Sequence, residues 1–471
     1  MKYKIKPLVL LVLSMLLPVS LYADRITAGG SHNLVARSNG YIYSWGANQD
    51  GQLGDGTTLD SLNPLSVVDR SYHAVSGVIA VHANGANNIV LLDDHTMLGW
   101  GTNENWQLGS GLASSGRYLG DPGAGAGATE TDGTDSGQDT GSTALDFPVP
   151  VVDPEGKPIS NIIKLVTGPV FSAAIRQDGT VVVWGRLDVF ADRESSRKPV
   201  NSFSDKFFDP EAEWIEGRYL NGDPVTDYDM LEMRDAAGNL IAGIVDVAIG
   251  EAHLLALTEA GTVLAWGEND AGQLGDATLH QRAYPVPVLN DRHQVLGGIT
   301  GVGANGDTSI AVRADGRVMG WGALGFLQPE AFVSDGNELQ RPDDPVARLL
   351  ADNSGEQISR VKQIALGSSH ALAITFDDTI VGWGDNSSGQ LGNGTNAAVS
   401  GTSRVVNGYG NLLADITEIA VGDRHSLALR SDGQLFTWGS AENGRLGDGT
   451  NIDSYYAIKV RGQDNAPFSV Y

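Results

Sequence analysis

ITEIAVGDRHSLALRSDGQLFTWGSAENGRLGDGT, Ile416 to Thr450, is the stretch that decides the fold. Ile416, Ile419 and Val421 give an apolar first segment. His425 to Arg430 then alternates Leu427 and Leu429 with small or polar neighbours, the two-residue period of a strand. Ser431-Asp432-Gly433 supplies a hairpin, because glycine takes positive φ without steric cost. The third strand, Gln434 to Trp438, ends at a Trp-Gly pair.

The same wording recurs along the chain. ITAGGSHNLVARSNGYIYSWGANQDGQLGDGT, Ile26 to Thr57, is the first copy, and others begin near Val78, Ile162, Ile244, Ile299 and Val361. Their Trp-Gly pairs fall at Trp45, Trp100, Trp184, Trp266, Trp321, Trp383 and Trp438. Such self-similarity marks a repeat architecture. The interval is 55 residues from 45 to 100, from 266 to 321 and from 383 to 438, and otherwise 84, 82 and 62. The chain is therefore expected to carry insertions in units two, three and five, at about 111–147, 187–243 and 326–360.

Pro-containing runs such as Pro285 to Val288 and Pro148 to Val151 suggest a fourth, edge strand, where a missing N–H breaks no ladder bond. Four antiparallel strands repeated seven times describe an all-β, seven-bladed propeller over 24–471. The indoles are expected to fill the gaps between blades. Glycines in Gly51-Gln52-Leu53-Gly54, Gly272-Gln273-Leu274-Gly275 and Gly389-Gln390-Leu391-Gly392 permit a turn that tucks the leucine inward. Trp106-Gln107-Leu108-Gly109 and Gly444-Arg445-Leu446-Gly447 are variants, and the units of Trp184 and Trp321 lack the loop.

The combination of Gly-x-x-His, a Leu-Ala-Leu strand, Asp-Gly, Trp-Gly-x-Asn and Gly-Gln-Leu-Gly resembles the repeat of the regulator of chromosome condensation family, here in an exported bacterial form. The likeness covers Ile26 to about Val460. Neither the Gly-Gly pair of Kelch propellers nor the Trp-Asp ending of WD repeats recurs. What the resemblance implies is a seven-bladed propeller and, for the family's best-known activity, guanine-nucleotide exchange on a small GTPase.

Lys2, Lys4 and Lys6 precede the apolar run Leu8 to Leu17, and Ala23 ends a cleavage site, so residues 1–23 are expected to be a removed signal peptide. The run is too short to span a bilayer, which needs about 20 residues. With no cysteine the chain has no disulfide or thiolate metal site. Its 57 acidic against 31 basic residues, a net of −26, argue against nucleic acid, which rewards clustered Lys and Arg. Solubility accounts for the excess more simply than an acidic docking face.

Among the insertions, 111–147 is rich in Gly, Ser, Thr and Asp and buries little. Asp132, Asp135 and Asp139 do not match a calcium loop. The second carries Phe203, Phe207, Phe208, Trp214 and Tyr219 among carboxylates, a candidate partner-binding surface if it does not simply pack on its own blade.

His32, His253, His370 and His425 occupy one repeat position, with Thr308 there in the fifth unit. They read as structural groups bonded to a neighbouring turn, since a catalytic base is needed once. No His-Glu-x-x-His, Gly-x-Ser-x-Gly or Gly-x-x-x-x-Gly-Lys occurs. The expectation is an exported, monomeric protein-interaction module without catalytic residues, cofactor or metal, whose protein partner is unidentified and which inserts in no membrane once the signal is cut. Alternatives are nucleotide exchange, inhibition of a secreted enzyme, and a hydrolase or lyase at the axial channel.

Overall fold

Each repeat folds into one sheet of four consecutive antiparallel strands in the computed structural model, which describes residues 24–110, 144–190, 219–220, 223–224, 230–325, 343–351, 357–399 and 401–471. Blade one comprises Ile26–Ala28, His32–Ala36, Ile42–Gly46 and Ser61–Ser66. Blade seven comprises Ile416–Val421, His425–Arg430, Leu435–Gly439 and Ser454–Lys459. First strands pack against one another right round the ring, including 416–421 against 26–28. They line the axis, and the fourth strands form the outer wall.

The second strands keep their two-residue period, yet both of their faces are buried. Blades stack face to face, so each side must be apolar or small. In blade seven, Leu427 and Leu429 pack towards Trp45 of blade one. Ala428, on the other side, faces Leu372 and Ile374 of blade six. Large against small lets twisted sheets interdigitate at interior density.

The indoles close the third strands, not the innermost ones, and all seven are at most 3% exposed. The glycine after each Trp is required by its neighbours. Gly46 has φ 110°. A Cβ there would stand 2.5 Å from the Ser31 carbonyl, where the first hairpin passes beneath. The prolines Pro64, Pro148, Pro285 and Pro345 lie on fourth strands, as an edge requires.

Between blades the chain makes a small outer hairpin that the sequence reading missed. Asp69, Asp153, Asp235, Asn290 and Asn407 each accept the amides two and four residues on, at 2.8–3.1 Å. The C-terminal tail repeats this path. Arg461 bridges to Pro467, and Ser38 of blade one donates its amide to the Val470 carbonyl at 2.9 Å. No blade is shared between the chain ends; the termini meet where an eighth unit would begin.

All three insertions interrupt the connection from third to fourth strand. The described flanks are Met97–Gly101 and Leu145–Pro150, Val181–Gly185 and Met230–Glu232, and Val318–Ala323 and Asp343–Leu349. The stretches 111–147, 187–243 and 326–360 thus overrun the insertions proper, because their ends form the blade's own fourth strand and outer hairpin. Leu187–Phe190 forms a short 3-10 turn. Tyr219–Leu220 pairs with Asp223–Pro224 as a two-residue ladder. The three insertions leave one face of the ring, here called the loop face. The opposite, turn face carries the second hairpins, the first described residue Asp24 and the C-terminal tail.

Candidate functional site

The Gly-Gln-Leu-Gly loops join blades. Trp100 donates its indole N–H to the Gln52 carbonyl of blade one at 3.0 Å. Trp184 does so to Gln107 at 3.0 Å, Trp321 to Gln273 at 2.9 Å, Trp438 to Gln390 at 2.9 Å and Trp45 to Arg445 at 3.1 Å. The loop leucines Leu53, Leu108, Leu274, Leu391 and Leu446 are fully buried. The Asn of Trp-Gly-x-Asn clasps the loop: Asn48 Oδ1 accepts the Leu53 amide at 2.8 Å and Nδ2 donates to the Thr57 carbonyl at 2.9 Å. The last loop glycine lies under the next indole. Gly392 has φ 64°, and a Cβ there would be 2.7 Å from Trp438 Nε1. Gly392→Ala is therefore expected to cost about 2 kcal/mol or more, from left-handed strain plus a displaced bond. Gly238→Ala, with φ 85° and open space, is the control. It should lose only about 1 kcal/mol in a denaturant midpoint comparison.

The repeated histidines belong to the same joint. His32 Nε2 lies 2.6 Å from Asn88 Oδ1, and His425 Nε2 lies 2.7 Å from Asn33 Oδ1. His253 and His370 reach Ser309 and Ser426 at 2.8 Å. Every partner is a side chain of the following blade, not the backbone of a neighbouring turn as expected. Ser426 donates its single proton to the Gln390 carbonyl at 2.9 Å, so it must accept from His370. Asn88 likewise donates to Gln52 at 2.9 Å. The donor chain thus selects the neutral tautomer protonated at Nε2. Burial presses His32 down to about 4, against the opposing pull of its Asn88 bond, and His253 and His370 to about 3. His425 also falls well below its ordinary value by burial. None can exchange protons with a substrate.

Blades three and five lack the loop, and every part of the joint vanishes with it. Phe171 and Thr308 stand where histidine would, and Leu254 and Ala371 replace the Asn or Ser of the next blade. The indole N–H groups of Trp266 and Trp383 are buried without an acceptor. Phe190 fills the first gap, its ring centroid 4.2 Å from that of Trp266 and 4.9 Å from that of Phe171. Leu324 packs with Trp383 in the other. At these two borders an apolar joint replaces the polar one and leaves one indole N–H unpaired in each, whereas the border of blades two and three keeps the loop and the indole bond with Asn87 in the histidine position.

Charged side chains gather where the first strands begin, at the axis near the turn face. Lys164 lies 2.5 Å from Asp246. Burial works against the Lys164 ammonium, but Asp246 and Asp24 together hold its pKa above the ordinary value. Glu418 accepts the Arg25 amide at 2.8 Å, and burial pushes it up to about 7. Burial also raises Asp24. His82, pressed down to about 4 by burial and by Lys164, takes the Thr167 amide at 3.1 Å. Among the described residues no group of three or more His, Asp or Glu is placed to hold a metal ion.

Exposed acids stand on both faces. On the turn face Arg360 pairs with Asp377 at 2.8 Å, Arg430 with Asp432 at 2.5 Å and Lys362 with Asp378, and Asp93, Asp94, Asp178 and Glu259 are exposed there too. Among the described residues the loop face exposes Asp60, Glu104, Glu251, Asp270, Asp423 and Asp453, together with Arg186 and Arg424. Arg282 and Arg445 there pair with Asp276 and Glu442. Leu59 and Ile452 stand at corresponding loop positions, each 73% exposed, and Leu279 stands one position earlier in its own loop, 45% exposed. The aromatic candidates Phe203, Phe207, Phe208 and Trp214 lie outside the described residues, as do Asp132, Asp135 and Asp139; Tyr219 is placed by its backbone alone.

The ring, its joints and its repeated residues define an all-β propeller scaffold of one repeat type. The chain belongs to the regulator of chromosome condensation (RCC1) repeat family: two family models match it, at 24–52, 244–273, 361–390 and 416–445, and at 39–83, 260–312, 377–429 and 432–468. Together they span half of the chain and pass over most of the insertion-bearing blades. Protein pim1 of Schizosaccharomyces pombe is 27% identical over 335 residues, 62% of this chain and 61% of that protein. The chain thus spans less than two thirds of this relative. The ultraviolet-B receptor UVR8 of Arabidopsis thaliana is 24% identical over 432 residues, 91% of this chain and 79% of that protein. Yeast RCC1 (Prp20), in its crystal structure with Kap60, superposes with a TM-score of 0.60 at 15% identity, covering 95% of this chain and 86% of that one. At that identity the likeness speaks for the fold. Among the described residues no helix is long and apolar enough to cross a membrane.

Proposed function

We propose that this chain is an exported scaffold that binds a protein partner through its loop face and carries out no catalysis. One observation carries the reading: all three insertions leave the face on which, among the described residues, exposed acids outnumber exposed cations and the loop aliphatics stand clear of the core. The signal-like N-terminus supports export, and the joints account for the repeated histidines without a reaction. An acidic face favours a partner with a basic contact surface, because opposite potentials raise the encounter rate. Nucleotide exchange and inhibition of a secreted enzyme are narrower forms of the same binding.

The test is isolation of partners from the extracytoplasmic fraction on the mature protein. The variant Glu251→Lys/Asp423→Lys, which reverses two exposed charges on first-hairpin tips, should weaken association about 10-fold at low salt and less at high salt. Affinity unchanged at every ionic strength, or a chain retained in the cytoplasm, would sink the proposal.

A further inference from the structure

The start of the described chain is held by three blades at once. The Asp24 carbonyl accepts the Val81 amide of blade two at 2.9 Å, and the Arg25 carbonyl accepts the Ala36 amide of blade one at 2.8 Å. The Arg25 amide donates to Glu418 of blade seven at 2.8 Å. The Arg25 guanidinium lies 5.6 Å over the ring of Tyr471 at the other end of the chain. Residues 24 and 25 therefore sit on the seam where the ring closes without a covalent link.

That seam is short of positive charge. Asp24, Asp246 and Glu418 bring three carboxyl groups to the axis; among the described residues Lys164 acts on Asp24 and on Asp246, 2.5 Å from the latter, and the Arg25 side chain acts on Glu418, two cations for three carboxyls. Burying carboxylates without compensation is costly, and both Asp24 and Glu418 are pushed upwards accordingly. Successive backbone nitrogens are at most about 3.6 Å apart. The Asp24 nitrogen thus stands within about 6 Å of the Glu418 oxygen that holds the Arg25 amide, close enough for opposite charges to shift each other's ionisation.

We propose that hydrolysis of the Ala23–Asp24 peptide bond on export creates the missing cation, an α-ammonium on Asp24 that pairs with Glu418 and fastens the seam. A peptidase of the export route adds water across the bond. The hydroxyl goes to the Ala23 carbonyl and a proton to the Asp24 nitrogen, which takes a second proton from solvent. This rests on the export part of the reading above. Its consequence is that the precursor closes its ring less firmly than the mature protein, a useful property in a chain that must cross a membrane unfolded.

The test compares purified protein beginning at Asp24 with protein extended by Tyr22-Ala23, each also as Glu418→Gln. The Asp24 form should melt higher, and at least half of the difference should disappear in the Glu418→Gln pair. Its amine should react about 10-fold more slowly with an acylating reagent at pH 7 than that of a free Asp-Arg peptide, as a raised pKa requires. Equal melting of the two forms, or a difference untouched by Glu418→Gln, overturns the proposal. So does exported protein whose intact mass places its first residue elsewhere. That outcome leaves the scaffold reading standing, whereas retention in the cytoplasm defeats the scaffold reading and leaves the purified-protein comparison to decide the seam.

Discussion

Acidification from pH 6.5 towards 4 is expected to unfold this protein. His32, His253, His370 and His425 are buried neutral: burial holds the first at about 4 and the next two at about 3, and it holds His425 well below its ordinary value, against 6.5 unfolded. Below pH 6.5 the unfolded chain takes up protons that the native one refuses. The stability they contribute is whole above pH 6.5 and drains away as pH falls towards 4. At about 1.4 kcal/mol per pH unit of difference, His32, His253 and His370 are each worth on the order of 3 kcal/mol, and His425 adds in the same direction. Together they rival the roughly 5–15 kcal/mol of a typical domain. Glu418, raised to about 7, has the opposite sign: its contribution is whole below 4.5 and lost as pH rises through 7. Asp24, also raised by burial, acts in the same direction as Glu418, while His82, held at about 4, adds to the side of the joint histidines, which prevails. Denaturant midpoints measured from pH 7.5 to 4 should fall steeply below 6.5, and a flat profile would refute the neutral joint.

Trp438→Ala should cost about 3–5 kcal/mol, the usual penalty for emptying a fully buried aromatic site. A sharper contrast comes from phenylalanine, which keeps the ring and removes the N–H. Trp438→Phe forfeits the bond to Gln390, whereas Trp266→Phe removes an N–H that has no acceptor. The first variant should be the less stable by about 1 kcal/mol more than the second. Equal losses in a paired unfolding experiment would mean that the indole bonds carry no net stability.

The blade number was legible because each unit must present one indole and one close-passing glycine, which no other residue replaces. The fourth strands were legible from their prolines. The joints were half legible. The loop, the histidine and the indole stand out within a unit, but their partners belong to the next one. Asn88 and Ser426 look unremarkable until read beside His32 and His370 one unit earlier; Leu254 and Ala371 then mark the exceptions. The axial charges Lys164, Asp246 and Glu418 sit on three different blades, and only closure of the ring brings them together. Outer hairpins escaped notice because their signal is a single Asp or Asn that caps two amides.

Counting how each pair of neighbouring blades is tied divides the circle in a way its covalent order hides. Between blades seven and one the polypeptide is broken but the loop of Arg445 spans the gap. Between three and four, and between five and six, the polypeptide continues but the contact is greasy and lacks the indole bond. Six, seven, one, two and three therefore form one arc and four with five another. If the circle breathes, it should do so at the two dry borders, beside which the insertions of blades three and five emerge, so that a partner gripping them would hold the two arcs together.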